Sequence, residues 1–323
     1  MKLTPIKMTP AFRFGSATPW GGEGLRALGK AIPDPHTGES LEVSVLPGLE
    51  SRDEAGRTLT ALLAEHGEAM RGTQVGETFP LLLKLISARE MLSVQVHPDD
   101  AYAHAHEGGK LGKTEAWVIL DAEPGAQIVY GIREGVTREQ LAKACQCGGE
   151  AVQACLNRVS VQPGEVYYIP AGMVHALGGG VTIMEIQQSS DVTYRFYDWD
   201  RVDAQGRGRE LHIRKGLDVT DVSLHLSACT GKTSACAGGQ RTACIDEPAF
   251  TLERWRAEGE MPLPHTPEHF TLLCALGDGA LAWDGGSMAL RRGDCVFVPA
   301  QGEPAALCGT LDVLACWPGR TND

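Results

Sequence analysis

Residues 163–175 read PGEVYYIPAGMVH, from Pro163 to His175. The stretch combines a Gly-acid turn, a short apolar strand and a Pro that ends strand pairing, because Pro has no backbone N–H to donate. A related stretch, RGDCVFVPAQGEP, runs from Arg292 to Pro304 and places Pro304 where the first copy has His175. We interpret the repeat as a duplicated β architecture in which one copy binds a metal ion and the other supports it.

Short apolar runs separated by turn residues follow one another through most of the chain. Each run has four to eight residues and is bounded by Gly, Pro, Asp or Ser, which is typical of an all-β sandwich or barrel. The fold class is therefore predicted to be mainly β. The predicted strands are Leu41–Val45, Pro80–Ile86, Met91–Val96, Ala116–Leu120, Gln127–Tyr130, Glu165–Ile169 and Val181–Gln187.

Helical segments interrupt the β pattern at two places. Residues 54–70 have leucines at helical spacing. Residues 137–158 begin with a capping box, in which Thr137 is the cap and Gln140 follows three residues later. A second short helix is expected over Glu150–Asn157. These segments predict a small α-helical insertion in a β protein.

One segment has the composition of a linker. Residues 227–240 are heavy in Ser, Ala, Gly and Thr, which predicts irregular structure. We therefore expect a catalytic domain over residues 1–226, which contains both helical segments. A degenerate C-terminal β domain is expected over residues 241–323.

Composition excludes several classes of function. The chain has 323 residues and a net charge of −12 with no basic tract, so nucleic-acid binding is not expected. No stretch approaches the roughly 18 to 20 apolar residues of a membrane span, and the N-terminus has no apolar run of signal-peptide length. The ten cysteines are therefore expected to be reduced thiols. We expect a cytoplasmic protein that does not bind membranes.

Four residues far apart in the chain have the chemistry of metal ligands. Gln95 and His97 are two residues apart, which places their side chains on one face of a strand. Glu115 and His175 complete the set. Two neutral imidazoles and a carboxylate are ligands that zinc and iron(II) favour in catalytic sites with an open coordination position. The set therefore predicts a catalytic metal site.

These residues lie within motifs of a known family. Gly164-x5-Pro170-x-Gly172-x2-His175 matches the second cupin motif, and Gln95-x-His97 followed by Glu115 is an altered form of the first. In this altered form the chain resembles the type I mannose-6-phosphate isomerases, over roughly residues 10 to 220. The further motifs that carry the resemblance are Trp20-Gly21-Gly22, Gly38-Glu39-Ser40, Phe79-Pro80-Leu81-Leu82-Leu83-Lys84, Leu92-Ser93-Val94-Gln95-Val96-His97-Pro98-Asp99-Asp100, Gly112-Lys113-Thr114-Glu115-Ala116-Trp117 and Ser189-Ser190-Asp191-Val192-Thr193-Tyr194-Arg195-Phe196-Tyr197-Asp198.

The resemblance implies a fold, a cofactor and a reaction. The fold would be a bicupin of two cupin-type jelly-roll domains, and the cofactor one Zn2+ per chain held by His97, Glu115, His175 and Gln95. The chain would act on a small sugar phosphate. The sequence leaves the oligomeric state open, and we expect a monomer. It would interconvert mannose 6-phosphate and fructose 6-phosphate through an enediol.

The resemblance also implies catalytic residues. Arg195 matches the active-site arginine of the family, and its permanent charge and fixed donors suit an enediolate or phosphate oxygen. Lys113 matches a family lysine that would contact substrate oxygens, or shuttle protons if burial lowers its pKa. Glu185 and Asp191 also match family positions, and either could be the base that moves the proton.

Three other functions remain open at this point. A cupin dioxygenase with iron(II) would use the same two histidines and carboxylate, and metal analysis would separate it from a zinc enzyme. Another sugar-phosphate isomerase could share the ligands and differ at the rim of the pocket. A non-catalytic sugar-phosphate-binding cupin would be expected to have lost a ligand or Arg195.

Overall fold

The computed structural model describes residues 3–319 of the chain, and within this range twenty strands form three sheets. The first twelve strands are β1 (Ile6–Lys7), β2 (Ala11–Phe14), β3 (Thr37–Val43), β4 (Leu81–Ala88), β5 (Val94–Val96), β6 (Glu115–Ala122), β7 (Gln127–Ile132), β8 (Leu156–Ser160), β9 (Val166–Ile169), β10 (His175–Ala176), β11 (Val181–Gln188) and β12 (Tyr194–Tyr197). The others are β13 (Lys232–Cys236), β14 (Gly239–Asp246), β15 (Phe250–Pro262), β16 (Thr271–Ala275), β17 (Gly279–Trp283), β18 (Gly286–Leu290), β19 (Cys295–Val298) and β20 (Ala305–Pro318).

Short helices connect some of these strands. None of the helices in the described part of the chain has the length and apolarity of a membrane-spanning helix. The α-helices are α1 (Leu59–His66), α2 (Glu68–Arg71), α3 (Asp100–His106), α4 (Arg138–Cys147), α5 (Gly149–Ala154) and α6 (Ile213–Val219), and 3-10 helices cover Gly15–Ala17 and Gly24–Leu28.

The prediction of a mainly β protein with short helical segments is confirmed. Each of the seven predicted strands overlaps an observed strand. The capping box also forms, because the Thr137 hydroxyl accepts from the Gln140 N–H and the Gln140 side chain accepts from the Thr137 N–H.

Two of the sheets face each other in the first part of the chain. Six strands have the order β2-β3-β4-β11-β6-β9, and five have the order β12-β5-β10-β7-β8. Side chains of both sheets meet in one buried cluster that includes Trp117, Ile183 and Ile128. Tyr130 and Tyr167 meet edge to face across the layers, with ring centroids 5.1 Å apart. Two antiparallel layers packed in this way give the double-sheet architecture expected of a jelly roll.

The third sheet is built mostly from the C-terminal part of the chain. Its main path is β1-β19-β16-β20-β15-β14-β13, with β17 and β18 attached through β20. Strand β1 pairs with β19, with Ile6 opposite Phe297, so a segment close to the N-terminus completes this sheet. The turns before β9 and β19 each have a glycine with positive φ, 95° at Gly164 and 91° at Gly293, which agrees with the sequence repeat.

Two local predictions were wrong. Residues 227–240, expected to be a linker, contain β13 and the first residues of β14, which pair as a hairpin. Strand β13 lies at the edge of its sheet and is largely exposed, so it lacks the apolar alternation that marks a strand. Helix α5 ends at Ala154 and does not reach Asn157, because Leu156 begins β8 and pairs with Ile132. The domain limits 1–226 and 241–323 remain a prediction.

The C-terminal sheet shares a hydrophobic core with the six-stranded sheet. Phe270 is fully buried, and its ring stacks on Phe79 at 4.9 Å and on Phe297 at 5.1 Å between centroids. Phe79 directly precedes the Pro80-β4 segment of the six-stranded sheet, so this aromatic cluster joins the two parts of the molecule. Aromatic pairs add about 0.5–1.5 kcal/mol to the free energy of burying their area.

Truncating the centre of this cluster should destabilise the whole protein. Phe270→Ala is expected to lower the free energy of unfolding by about 3–5 kcal/mol, because it removes a buried ring and leaves a cavity. Phe14→Ala is the matched control, since Phe14 is 46% exposed, and its effect should stay within about 0.5 kcal/mol. Urea unfolding monitored by circular dichroism measures both, and equal effects of the two substitutions would contradict the role of the cluster.

Candidate active site

Three of the predicted site residues lie side by side on the five-stranded sheet. His175 on β10 is opposite Gln95 on β5, and Gln95 is opposite Arg195 on β12. Directly opposite residues in an antiparallel pair point to the same face. His97 follows the last residue of β5, and Glu115 begins β6 in the facing six-stranded sheet. The candidate site therefore lies between the two layers.

Both histidines are oriented by backbone carbonyls. His97 Nδ1 donates to the Val192 carbonyl and His175 Nδ1 donates to the Met173 carbonyl, each at 2.9 Å. A histidine that donates from Nδ1 while neutral keeps a free lone pair on Nε2. His97 Nε2 lies 3.6 Å from one oxygen of Glu115, and His175 Nε2 lies 3.2 Å from the other. The two imidazoles thus present their coordinating nitrogens to one carboxylate.

The surroundings of these histidines favour the neutral form. Burial lowers the pKa of His97 well below its usual range, and the nearby Lys113 charge lowers it further. Burial also lowers the pKa of His175, although the Glu115 carboxylate partly opposes this effect. Neutral imidazole is the form that binds a metal ion. The site therefore holds its histidines ready for coordination at neutral pH.

The geometry and donor set of His97, Glu115 and His175 fit a metal ion. Their ligand atoms all lie within 4.8 Å of one another. Ligands about 2.0–2.2 Å from a tetrahedral zinc are about 3.3–3.6 Å apart, close to the observed 3.2 and 3.6 Å. Both Glu115 oxygens are buried, and the Lys113 ammonium pairs with one of them at 2.7 Å. The structure thus brings together the three predicted ligands in a candidate metal site.

Gln95 lies beside this triad. Its amide Nε2 is 3.3 Å from His175 Nε2 and its Oε1 accepts from the Ser93 hydroxyl, also at 3.3 Å. A half-turn of the amide would direct the oxygen toward the same centre. The position is thus compatible with the predicted fourth ligand, and direct coordination by Gln95 stays a prediction.

A cleft open to solvent, with a volume of about 100 Å³, is lined by Gln95 and Lys113, which contact His175 and Glu115 of the triad. Five cationic side chains line it against three acidic ones. Because the whole chain has a net charge of −12, the cleft is a local positive region in a negative protein and favours an anionic ligand. The cationic residues are Arg13, Lys84, Lys113, Arg195 and Arg209, and the acidic residues are Glu39, Glu185 and Asp191.

Lys113 and Glu185 are both buried in the cleft. Lys113 Nζ lies 2.7 Å from a Glu115 oxygen and 3.1 Å from His97 Nε2. Burial alone would lower the pKa of Lys113, but the Glu115 and Glu185 carboxylates outweigh it and raise the pKa, so Lys113 remains an ammonium group. One Glu185 oxygen accepts from the Trp117 indole at 2.9 Å. The other lies 3.3 Å from Lys84 Nζ but makes no hydrogen bond.

Asp191 and Arg195 occupy other parts of the cleft. The Asp191 side chain is 46% exposed and pairs with Lys110 at 2.7 Å. Burial alone would raise the pKa of Asp191, but the hydrogen bond and charge of Lys110 lower it overall. Arg195 is partly buried, and its Nε has no hydrogen-bond partner among the described residues. Asp191 therefore lies at the mouth of the cleft, whereas Arg195 is held in its wall.

Sequence reasoning missed three cleft residues, Lys84, Glu39 and Arg13, that form an ion network with Glu185. Lys84 on β4 is the cross-strand partner of Glu185 on β11, and its Nζ is also 3.6 Å from Glu39. Glu39 in turn pairs with Arg13 at 3.3 Å. A signal for Lys84 was present, since it is a lysine inside the apolar run 80–86, and lysine is almost never fully buried without a partner.

Comparisons with known proteins identify the family. A family model described as the catalytic domain of type I phosphomannose isomerase matches residues 41–117. The chain is 37% identical over 301 residues to the mannose-6-phosphate isomerase of Streptococcus mutans, covering 92% of this chain and 93% of that protein. The chain belongs to the type I phosphomannose isomerases. The mannose-6-phosphate isomerase ManA of Bacillus subtilis, another relative, is 35% identical, with 93% and 94% covered.

A solved structure agrees with this assignment. The mannose 6-phosphate isomerase from Bacillus subtilis superposes with a TM-score of 0.89 at 34% identity, covering 97% of this chain and 99% of the other. The predicted family resemblance and the predicted cupin-type fold are therefore confirmed. In this type I phosphomannose isomerase the candidate metal site and the cationic cleft are neighbours, because Lys113 lines the cleft and contacts Glu115.

Removing the carboxylate charge should weaken metal binding. Glu115→Gln is expected to lower the affinity for Zn2+ by at least about 100-fold. Loss of a residue that only supports a ligand lowers metal affinity by about 10- to 100-fold, and here a ligand itself is lost. Glu123→Gln, at an exposed position just after β6, is the matched control and should bind metal like the unaltered protein. Elemental analysis after dialysis measures the metal content, and a full complement in Glu115→Gln would show that Glu115 is not a ligand.

Proposed function

We propose that this protein is a zinc-dependent aldose-ketose isomerase that interconverts mannose 6-phosphate and fructose 6-phosphate. The observation that carries the proposal is the pair of neutral imidazoles facing the buried Glu115 carboxylate, beside a cationic cleft whose Lys113 contacts that carboxylate. Family membership supports the substrate, since relatives that carry this name align over nearly the whole chain. A cytoplasmic location and action as a monomer, expected from the sequence, are parts of the same proposal.

The reaction moves one proton between C2 and C1 of the open-chain sugar. His97, Glu115 and His175, with Gln95 as a possible fourth ligand, would hold one Zn2+ per chain, which supplies a Lewis acid for the negative charge that develops on O1 and O2. Stabilising charge that appears only in the transition state raises kcat. The remaining tasks of proton transfer and substrate binding fall to side chains of the cleft.

Glu185 is the base in this proposal. It takes the proton from C2 of mannose 6-phosphate, and the electron pair forms the C1=C2 bond of the enediolate while the C1=O pair moves to O1. A proton passes from O2 to O1, and the same carboxyl returns its proton to C1 as the C2=O bond forms. Glu185 is buried, and its oxygen 3.3 Å from Lys84 makes no hydrogen bond, so that oxygen keeps a lone pair that can accept a proton inside the cleft. Asp191 is less suited, because it is half exposed and paired with Lys110.

Two cations support the transfer. Lys113, held as an ammonium by Glu115 and Glu185, is placed to donate hydrogen bonds to O1 and O2 of the sugar. Arg195 is aligned with Gln95 and His175 on neighbouring strands and offers a fixed fork of donors to an enediolate or phosphate oxygen. Both residues thus favour negative charge on the substrate.

Removing the metal should abolish the reaction. A coupled assay that detects fructose 6-phosphate formed from mannose 6-phosphate should fall to background after chelation and recover with added Zn2+. The control is the chelator already saturated with Zn2+, which should have no effect. Full turnover after complete metal removal would contradict the zinc requirement, and activity restored only by iron(II) with oxygen uptake would favour a dioxygenase.

The two candidate bases should differ in their effect on turnover. Glu185→Gln is expected to lower kcat by about 10²–10⁴-fold, the range for losing a general base, with metal content retained. Asp191→Asn, the isosteric change at the cleft mouth, should lower kcat by less than about tenfold, because this proposal gives Asp191 no part in the proton transfer. Steady-state kinetics with mannose 6-phosphate compares the two variants. A larger loss of kcat in Asp191→Asn would transfer the role of base to that residue.

A further inference from the structure

Three arginines line the cleft, and they differ in how closely a carboxylate neutralises each of them. Arg13 pairs with Glu39 at 3.3 Å. Arg209 lies 3.8 Å from the nearest oxygen of Asp198, which is too long for a hydrogen bond, and that oxygen is already bound to a closer arginine at 2.5 Å. Arg195 has a buried Nε without a partner among the described residues. Arg195 and Arg209 thus keep donors available for a ligand.

These two arginines are close enough to affect each other. After burial, the charge of Arg209 is the largest influence that lowers the pKa of Arg195. Neighbouring like charges in a partly buried site raise the free energy of the unliganded protein, and an anion between them relieves this repulsion. Asp198 and Glu210 offset part of this repulsion, and the two arginines line the same cleft with donors available for a negatively charged group.

The fold returns Arg209 to the side of Arg195 through a defined loop. The chain leaves β12 and turns at Trp199 and Asp200, which both have positive φ, 56° and 55°. It closes a small hairpin and returns at His212, whose N–H donates to the Arg195 carbonyl at 2.8 Å. Backbone strain of this kind costs about 1–3 kcal/mol per residue and persists where the structure enforces it. The strained loop places Arg209 at the cleft.

The position of this pair suits one end of the substrate. Arg195, Gln95 and His175 lie on three adjacent strands with their side chains on one face. Two inter-strand spacings separate Arg195 from His175, about 9.5 Å between backbones. A hexose 6-phosphate carries its phosphate at the opposite end of the carbon chain from its reacting carbonyl. A substrate whose carbonyl lies at the triad would thus extend its phosphate toward the arginines.

We propose that Arg209 binds the phosphate group of the substrate together with Arg195. Guanidinium groups bind phosphate oxygens through two parallel hydrogen bonds, which fixes position as well as charge. The inference rests on the proposed function for the identity of the substrate. It adds the residue that selects a phosphorylated sugar over a free sugar.

Substitution in the loop tests this role. Arg209→Ala is expected to raise KM for mannose 6-phosphate by about 10- to 100-fold, the loss typical of a charge-assisted hydrogen bond, with kcat and Zn2+ content little changed. Ki for inorganic phosphate as a competitive inhibitor should rise by a similar factor. The matched control is Arg207→Ala, since Arg207 lies in the same loop, is 74% exposed and bonds to Asp203 and Gln205 of that loop.

Several results would overturn the assignment. These are an unchanged KM and phosphate Ki in Arg209→Ala, an equal rise in Arg207→Ala, or a fall in kcat alone. Arg209→Lys, which keeps the charge, covers the case in which Arg209→Ala does not fold, and it should raise phosphate Ki by a smaller factor. Phosphate protection in a thermal melt needs no turnover. It should be present in the unaltered protein and lost in Arg209→Ala even if the isomerase assay fails, which separates this inference from the proposed function.

Discussion

The arrangement of the molecule depends on the approach of two histidines to one buried carboxylate. His175 belongs to the five-stranded sheet and His97 directly follows its strand β5, whereas Glu115 begins a strand of the six-stranded sheet. Bringing a carboxylate out of water costs several kcal/mol unless a cation or donors compensate. The Lys113 ammonium and the candidate metal ion are the compensating charges available here. The packing of two apolar sheet faces therefore has a chemical result, because it fixes the spacing between the ligands.

Alternating charge organises the rest of the cleft. Arg13, Glu39, Lys84 and Glu185 follow one another as neighbouring ion pairs at 3.3, 3.6 and 3.3 Å. Such a network holds each side chain in place before substrate arrives, so less conformational entropy is lost on binding. Positive residues still outnumber negative ones in the cleft, which gives a protein of net charge −12 a local attraction for a sugar phosphate.

The C-terminal sheet supports this site through packing and contributes none of the candidate metal ligands. Its repeat of the turn-strand-Pro stretch carries Pro304 in place of the histidine, and no metal ligand triad other than that of the first sheets occurs in residues 3–319. Its core is continuous with that of the six-stranded sheet through Phe79, Phe270 and Phe297. We infer that this part of the molecule stabilises β4, the strand that carries Lys84.

The sequence by itself determined the strand pattern, the family and the three candidate metal ligands, because these depend on local spacing and on the order of motifs along the chain. It did not reveal β13, whose exposed edge position needs no apolar alternation, nor did it separate Glu185 from Asp191. The proposal of Glu185 as the base required burial and partners, which depend on residues far apart in the chain. Arg209 was also beyond sequence reasoning, since only a strained loop that folds back onto β12 brings it beside Arg195.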